Sequence, residues 1–375
     1  MIKLLIAGYH GYGNCGDEAI LRAMTSNIRN MAKDVEITAL SYAPEFTKKE
    51  YKINSVGRFN VFAVINAIRK SDIVLSGGGT LLQNGTSTRS LLYYLAIIRT
   101  AKFFGKKVML YANGIGPING EKNRALVKKI IDRVDLITLR EKLSEADLKS
   151  IGVAKPDITV TADPAFTLTP ADKEQTDRIF KDAGIDNKGF TVGVSVRRWS
   201  KAFGGDDYIK KIAAACDRLA KNGKTIVFLP MEYPTDIEVS RLVAEKMSEN
   251  AYILDKRYTP TQILGIIGRF DIMLSMRLHS LIFAAVQNVP MMGIIYDPKI
   301  EYYLKELDMP EVGDVRKELL DPDKIVKYSE EITENLTLYK EKLLKSSEIM
   351  KKKAKENDIL LSKKLLDPIR KGKNK

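Results

Sequence analysis

The 375-residue sequence is poor in the residues that usually carry metal and redox chemistry: two cysteines, two histidines and one tryptophan. Cys15 and Cys216 cannot build a disulfide framework and fit a reducing compartment. No H-x-x-x-H or C-x-x-C spacing occurs, so a bound metal is not expected. Neither G-x-S-x-G nor G-x-x-x-x-G-K-[ST] is present, which removes the nucleophile elbow of the hydrolases and the phosphate loop of the P-loop nucleotidases. No run approaches the roughly 18 apolar residues of a membrane span. The opening "MIKLLIAGYHGYGNCGDE" is too short in apolar residues for a signal peptide. These absences predict a cytoplasmic protein with no cofactor, in which the sequons at Asn84 and Asn335 carry no meaning.

What is present suits a soluble globular chain: 45% hydrophobic and 29% charged residues. The length exceeds the roughly 250 to 300 residues at which one core stops growing, so two domains are expected. The formal charge is +14, but residues 340 to 375 hold 13 Lys/Arg against 5 Asp/Glu, a net +8 that leaves +6 for the rest. In that tail Leu336, Leu343, Met350, Ala354, Leu361 and Leu365 recur at steps of seven and four, one apolar face on a lysine-rich helix. Two readings stand: the helix packs on its own domain, or it makes a peripheral contact with an anionic membrane surface. Nucleic-acid binding by the tail is not expected, because nothing aromatic interleaves with its lysines.

Short runs rich in Val, Ile and Leu alternate with amphipathic stretches: "IKLLIAG", "VEITALS", "DIVLSGGG", "KVMLYANGIGP", "DLITLR" and "ITVTADPA". The alternation restarts after residues 162 to 170 with "FTVGVSVR", "KTIVFLP", "AYILD", "FDIMLSM" and "PMMGIIYD". The pattern predicts an α/β protein of two Rossmann-like doubly wound domains, 1–167 and 168–320, facing a cleft, with a C-terminal helical, lysine-rich extension over 321–375. In such sheets ligands gather at the carboxyl ends of the strands. The unusual residues fall there: Gly11 to Gly16, Gly77 to Gly79, Gly114 to Pro117, Arg140, Arg197 with Arg198, and "SMRLHS".

"GYGNCG" at 11 to 16 is a literal G-x-G-x-x-G, yet the second strand ends at Leu40, Ser41 and Tyr42 without the acid a nicotinamide ribose needs. What remains is a loop holding Asn14 that could present backbone amides to an anion, with Asp17 capping or charging the first helical turn. Gly78 and Gly79 allow either a tight turn or close backbone approach to a ligand. The chemically interesting set is cationic: Arg140, Arg197, Arg277, His279 and Lys299, each at or just beyond a strand end. Such arginines are either salt-bridged in place or face an anion; several together suit a small, highly charged ligand. A histidine two residues from one of them could donate a proton, or could be satisfied inside a core.

Together "GYHGYGNCGDEAIL", "SGGGTLLQNGTSTRSLLYYL", "LYANGIGP", "TADPAF", "SMRLHSLIFAAV" and "YDPK" resemble the polysaccharide pyruvyl transferases, within them the cell-wall CsaB-type branch. The resemblance covers roughly residues 5 to 300. It implies a fold like that of the GT-B glycosyltransferases and transfer of pyruvate from phosphoenolpyruvate, as a 4,6-ketal, onto N-acetylmannosamine. The acceptor it implies is a lipid-linked cell-wall disaccharide, at the inner membrane face, of the kind used in S-layer anchoring. Carried onto this chain, it gives His279 as acid/base, Arg277 as an anion binder, and Arg140 and Lys299 as further cations. Asn113 stands where the resemblance leads one to expect glutamine. Phosphoenolpyruvate carries a carboxylate and a phosphate on few atoms, which explains cations without a metal. A sugar-nucleotide glycosyltransferase with Asp297 on a nucleotide ribose is the rival reading of the same residues.

Overall fold

The structure, a computed structural model, describes residues 1–185, 189–200, 202 and 204–373. The chain divides into two compact units: Met1–Thr167 with Met350–Lys375, and Leu168–Ile349.

The first unit is built on a seven-stranded parallel sheet. Its strands are β1 (Ile2–Ala7), β2 (Val35–Ser41), β3 (Asn54–Gly57), β4 (Ile73–Gly77), β5 (Lys107–Asn113), β6 (Leu136–Leu139) and β7 (Ile158–Val160), in the order β3-β2-β1-β4-β5-β6-β7. The central strands are apolar on both faces, as a sheet covered by helices on both sides requires. Residues of β1 divide between two cores: Leu5 and Ala7 join one, Ile2, Leu4 and Ile6 the other. The order reverses between β1 and β4, and there the loop after β1 and the triple glycine after β4 lie at neighbouring strand ends.

The second unit repeats the plan with β8 (Thr191–Ser195), β9 (Thr225–Phe228), β10 (Tyr252–Ile253), β11 (Ile272–Ser275), β12 (Met291–Ile295) and β13 (Glu311–Asp314). Their order is β10-β9-β8-β11-β12-β13, again all parallel. Here too the reversal, between β8 and β11, gathers chemically distinctive loops. Phe270 shows how tightly the sheet is covered: a Cβ on Gly193 of β8 would stand 2.2 Å from its ring.

The C-terminal residues do not form the separate extension expected over 321–375. Helix Pro322–Glu334 and the first part of helix Leu336–Leu361 belong to the second unit, whereas residues from Met350 onward belong to the first. The apolar stripe is the reason. Leu343, Met350, Ala354, Leu361 and Leu365 are all buried, and Leu361, Leu365 and Leu366 join the β1 and Met24 side of the first core. Asn357 is buried as well, accepting from Thr161 Oγ1 at 2.8 Å and donating to the Ala162 carbonyl at 3.0 Å. No helix among the described residues is long and apolar enough to cross a membrane.

Candidate functional site

In the second unit the carboxyl ends of the adjacent strands β8, β11 and β12 bring Arg197, Arg277, His279, Tyr296 and Lys299 to one edge of the sheet. Arg197 is half-buried, its Nη1 donating to Tyr296 Oη at 2.8 Å. Its guanidinium lies 4.6 Å from the Tyr296 ring centre and 5.5 Å from that of Trp199, so aromatic faces rather than carboxylates hold the cation. His279 and Lys299 are both half-buried in first helical turns, of Leu278–Val286 and Pro298–Leu307 respectively. Helix Leu278–Val286 has no side-chain cap, so the positive end of its dipole favours an anion. As a residue His279 is half-buried, while its Nε2 is shielded from solvent.

Arg277 corrects one expectation. It caps the Leu278–Val286 helix with its backbone and is 9% exposed, but its fork is turned to carboxylates. Nε donates to Asp236 Oδ2 at 2.9 Å, and Nη2 reaches Asp236 Oδ1 at 2.5 Å and Glu232 Oε2 at 2.7 Å. Burial opposes the charge, yet Asp236 beside it raises the arginine's pKa, so it stays a cation whose charge is already answered. Arg277 is a positioning residue for the turn that carries His279. Asp297 is likewise committed: its Oδ1 accepts from the Lys299 amide at 2.9 Å as the cap of helix Pro298–Leu307.

In the first unit the structure collects Asn14, Asp17, Gly78, Gly79 and Arg140. Arg140 follows β6, 4% exposed, with Nη1 on Asp163 at 2.8 Å, Nε on Glu141 at 3.0 Å and Nη2 on Thr80 at 3.2 Å. Two carboxylates answer it, so it is a structural cation of the strand edge. The glycine-rich loop is corrected as an anion cradle. Asn14 caps helix Cys15–Met31 by accepting from the Gly16 amide at 3.0 Å, and Glu18 Oε1 takes the Gly11 amide at 2.7 Å. Asp17 stands in the first turn as expected, while its neighbours consume these loop amides. The close approach at the triple glycine is to that same helix. A Cβ on Gly78 would meet Ile20 Cγ2 at 2.2 Å, and one on Gly79 would meet Asp17 Oδ1 at 2.6 Å.

Sequence reasoning marked Asn113 only as a departure from an expected glutamine, and missed Arg58. Asn113, at the end of β5, is fully buried and neither Oδ1 nor Nδ2 has a partner, an orphan amide at the ligand-bearing end of the sheet. Arg58, 6% exposed, donates to the Gly8 carbonyl at 3.1 Å and Tyr94 Oη at 3.3 Å, with the rings of Tyr12, Phe59 and Tyr93 within 5.5 Å. It anchors a stack of Tyr9, Tyr12 and Tyr42, with ring centres 4.1 and 4.5 Å apart. His10 lies nearby at 1% exposure; burial, then the Arg58 charge, lowers its pKa to about 3, so it stays neutral.

Sequence comparison now decides the family. The model of the polysaccharide pyruvyl transferases matches residues 14–298, a span from Asn14 to one residue before Lys299. The chain belongs to the polysaccharide pyruvyl transferase family. Among curated proteins, the amylovoran biosynthesis protein AmsJ of Erwinia amylovora is 22% identical to this pyruvyl transferase, over 87% of this chain and 91% of its own. Among solved structures, S. aureus MnaA with UDP superposes with a TM-score of 0.69 at 15% identity, covering 98% of this chain and 97% of that one. A UDP-N-acetylglucosamine 2-epimerase from Listeria monocytogenes gives 0.70 at 12%, covering 96% of each. Anabaena HepE with UDP-glucose gives 0.63 at 10%, covering 99% and 100%. At these identities the likeness is one of fold, and it is GT-B-like.

Proposed function

We propose that this pyruvyl transferase moves pyruvate from phosphoenolpyruvate, as a 4,6-ketal, onto an N-acetylmannosamine residue of a lipid-linked cell-wall polysaccharide precursor. The observation that carries the reading is the edge of the second unit, where Arg197, Lys299 and the N-terminus of helix Leu278–Val286, which has no side-chain cap, accompany a half-buried His279. Arg197 and Lys299 take the donor's carboxylate and phosphate. His279, protonated, gives its proton to the vinyl carbon as one sugar hydroxyl adds to C2. That addition leaves a tetrahedral C2 bearing the new methyl group, the carboxylate, the phosphate oxygen and the sugar oxygen, and it is the sugar oxygen that shares the positive charge developing as the phosphate bond breaks. The second hydroxyl then attacks C2, the bond to the phosphate oxygen breaks, and phosphate departs. One hydroxyl proton returns to His279 and the other leaves with phosphate, so the site resets without a metal.

The rival sugar-nucleotide reading would use Asp297 on a ribose, but that carboxylate already caps a helix. The test is phosphate release from phosphoenolpyruvate with and without an N-acetylmannosamine-containing disaccharide, followed by mass spectrometry of the glycan. Acceptor-dependent release and a ketal product support the proposal. Nucleoside diphosphate release from a sugar nucleotide, with no turnover of phosphoenolpyruvate, overturns it.

A further inference from the structure

A helix on the surface of a soluble protein usually keeps one apolar face for the core. Helix Val61–Lys70 of the first unit is apolar on both. Val64 and Ile68 point into the core, while Val61, Phe62 and Ile65 face outward, Phe62 at 87% exposure. The neighbouring helix Thr88–Phe103 repeats the arrangement, burying Leu91, Leu95 and Ile98 and exposing Leu92 and Phe103, the latter at 82%. The two exposed sets are continuous, because Ile65, Leu92 and Phe103 line one open groove of about 490 Å³. Scattered exposed apolar residues need no explanation, but a contiguous apolar patch marks an interaction surface.

The charge around the patch selects the partner. Residues 58 to 107 contain eight Lys/Arg and one acidic residue, Asp72, which is itself paired with Lys373 at 2.8 Å. Arg69, Lys70 and Arg99 are exposed on the same two helices as the outward phenylalanines. Aromatic and aliphatic side chains rimmed by unopposed cations match the interface of an anionic bilayer. The lysine-rich C-terminal helix exposes only aliphatic residues, Leu338, Leu344, Ile349 and Ile359, with no exposed large aromatic ring among them, while Leu343, Leu361 and Leu365 are buried in the core. We infer that the pyruvyl transferase docks on anionic membrane through helices Val61–Lys70 and Thr88–Phe103, and not through its basic C-terminal helix. The inference draws on the proposed lipid-linked acceptor only for its biological sense; the surface stands on its own geometry.

The full chain is sedimented with phosphatidylglycerol-containing vesicles and with phosphatidylcholine vesicles, at low and high salt. Binding to the anionic vesicles that weakens with salt is expected, and Phe62→Glu with Phe103→Glu reduces it by about tenfold or more. Lys351→Glu with Lys352→Glu, on the exposed face of the C-terminal helix, leaves most of it. Both pairs of positions are exposed, so the variants fold. Absence of vesicle binding, binding unchanged by the phenylalanine variants, or loss caused by the lysine variants alone overturns the inference. So does a dimer in sedimentation velocity that Phe62→Glu dissociates, which would assign the patch to a second copy of the chain. Since no donor or acceptor enters this assay, it fails or succeeds independently of the phosphate-release test.

Discussion

Two residues two positions apart in the sequence have different fates, and the difference can be measured. Arg277 answers the buried Asp236, whose pKa burial raises while Arg277 pulls it down. Arg277→Ala leaves that carboxylate uncompensated and is expected to cost about 3–5 kcal/mol in urea unfolding. Asp236 can relieve part of the cost by taking up a proton. The variant's folded-state carboxyl then titrates above its unfolded value, so the variant's deficit grows as pH rises through that range and shrinks on acidification. His279→Ala should behave in the opposite way. It removes a half-buried side chain, should unfold within about 1 kcal/mol of the parent, and should lose roughly 10² to 10⁴ in turnover. Circular dichroism and phosphate release on the same preparation separate the two. The sequence marked both residues because a cation and an imidazole interrupt an apolar run, but it could not show which was spent. Arg277's partners lie 41 and 45 residues upstream, and spacing gives position along the chain without giving contact.

At the scale of elements, legibility followed the length of the apolar run. Strands such as β1, β4 and β12 are almost wholly apolar and were readable as runs of Val, Ile, Leu and Met. The strands that were not are the sheet edges β3, "NSVG", and β13, "EVGD". Each is only four residues long and holds polar or glycine residues at most positions, so it leaves no periodic signal. Missing β3 also hid Arg58, which follows it directly, and with it the tyrosine stack. Glycines were readable as punctuation, not as contacts. Gly78 lies at φ 76° with Ile20 packed against its Cα, so Gly78→Ala combines left-handed strain with overpacking and is expected to cost about 2–5 kcal/mol. Gly57→Ala, where nothing lies within 4 Å of the added carbon, should stay within about 0.5 kcal/mol in the same denaturant series. Equal losses at the two sites would remove the packing argument.

At the scale of the whole molecule, the final 26 residues complete the first unit across more than 180 residues of intervening chain. Leu361, Leu365 and Leu366 are buried there, and at about 2 kcal/mol each their removal takes roughly 6 kcal/mol, comparable with the stability of an ordinary domain. A chain ending at Ile349 is therefore expected to bind a hydrophobic dye and to be cleaved readily within residues 1–167. A chain ending at Lys371 should not. The same clasp contains a pH-sensitive group. Asp358 accepts from Tyr111 Oη and from Asn27 Nδ2 at 2.9 Å, and burial raises its pKa to about 6. Its unfolded value is near 3.9, so between roughly pH 4 and 6 the folded state holds more proton than the unfolded state. The contribution of Asp358 is then greatest below the unfolded pKa, falls as pH rises through that window, and is constant above it. The fall amounts to about 3 kcal/mol. Asp358→Asn removes the titration while keeping the volume. Whatever constant offset the amide brings, the stability of the variant relative to the parent should climb by about 2 kcal/mol from pH 4 to pH 7, and parallel curves would mean that the clasp holds Asp358 ionised throughout.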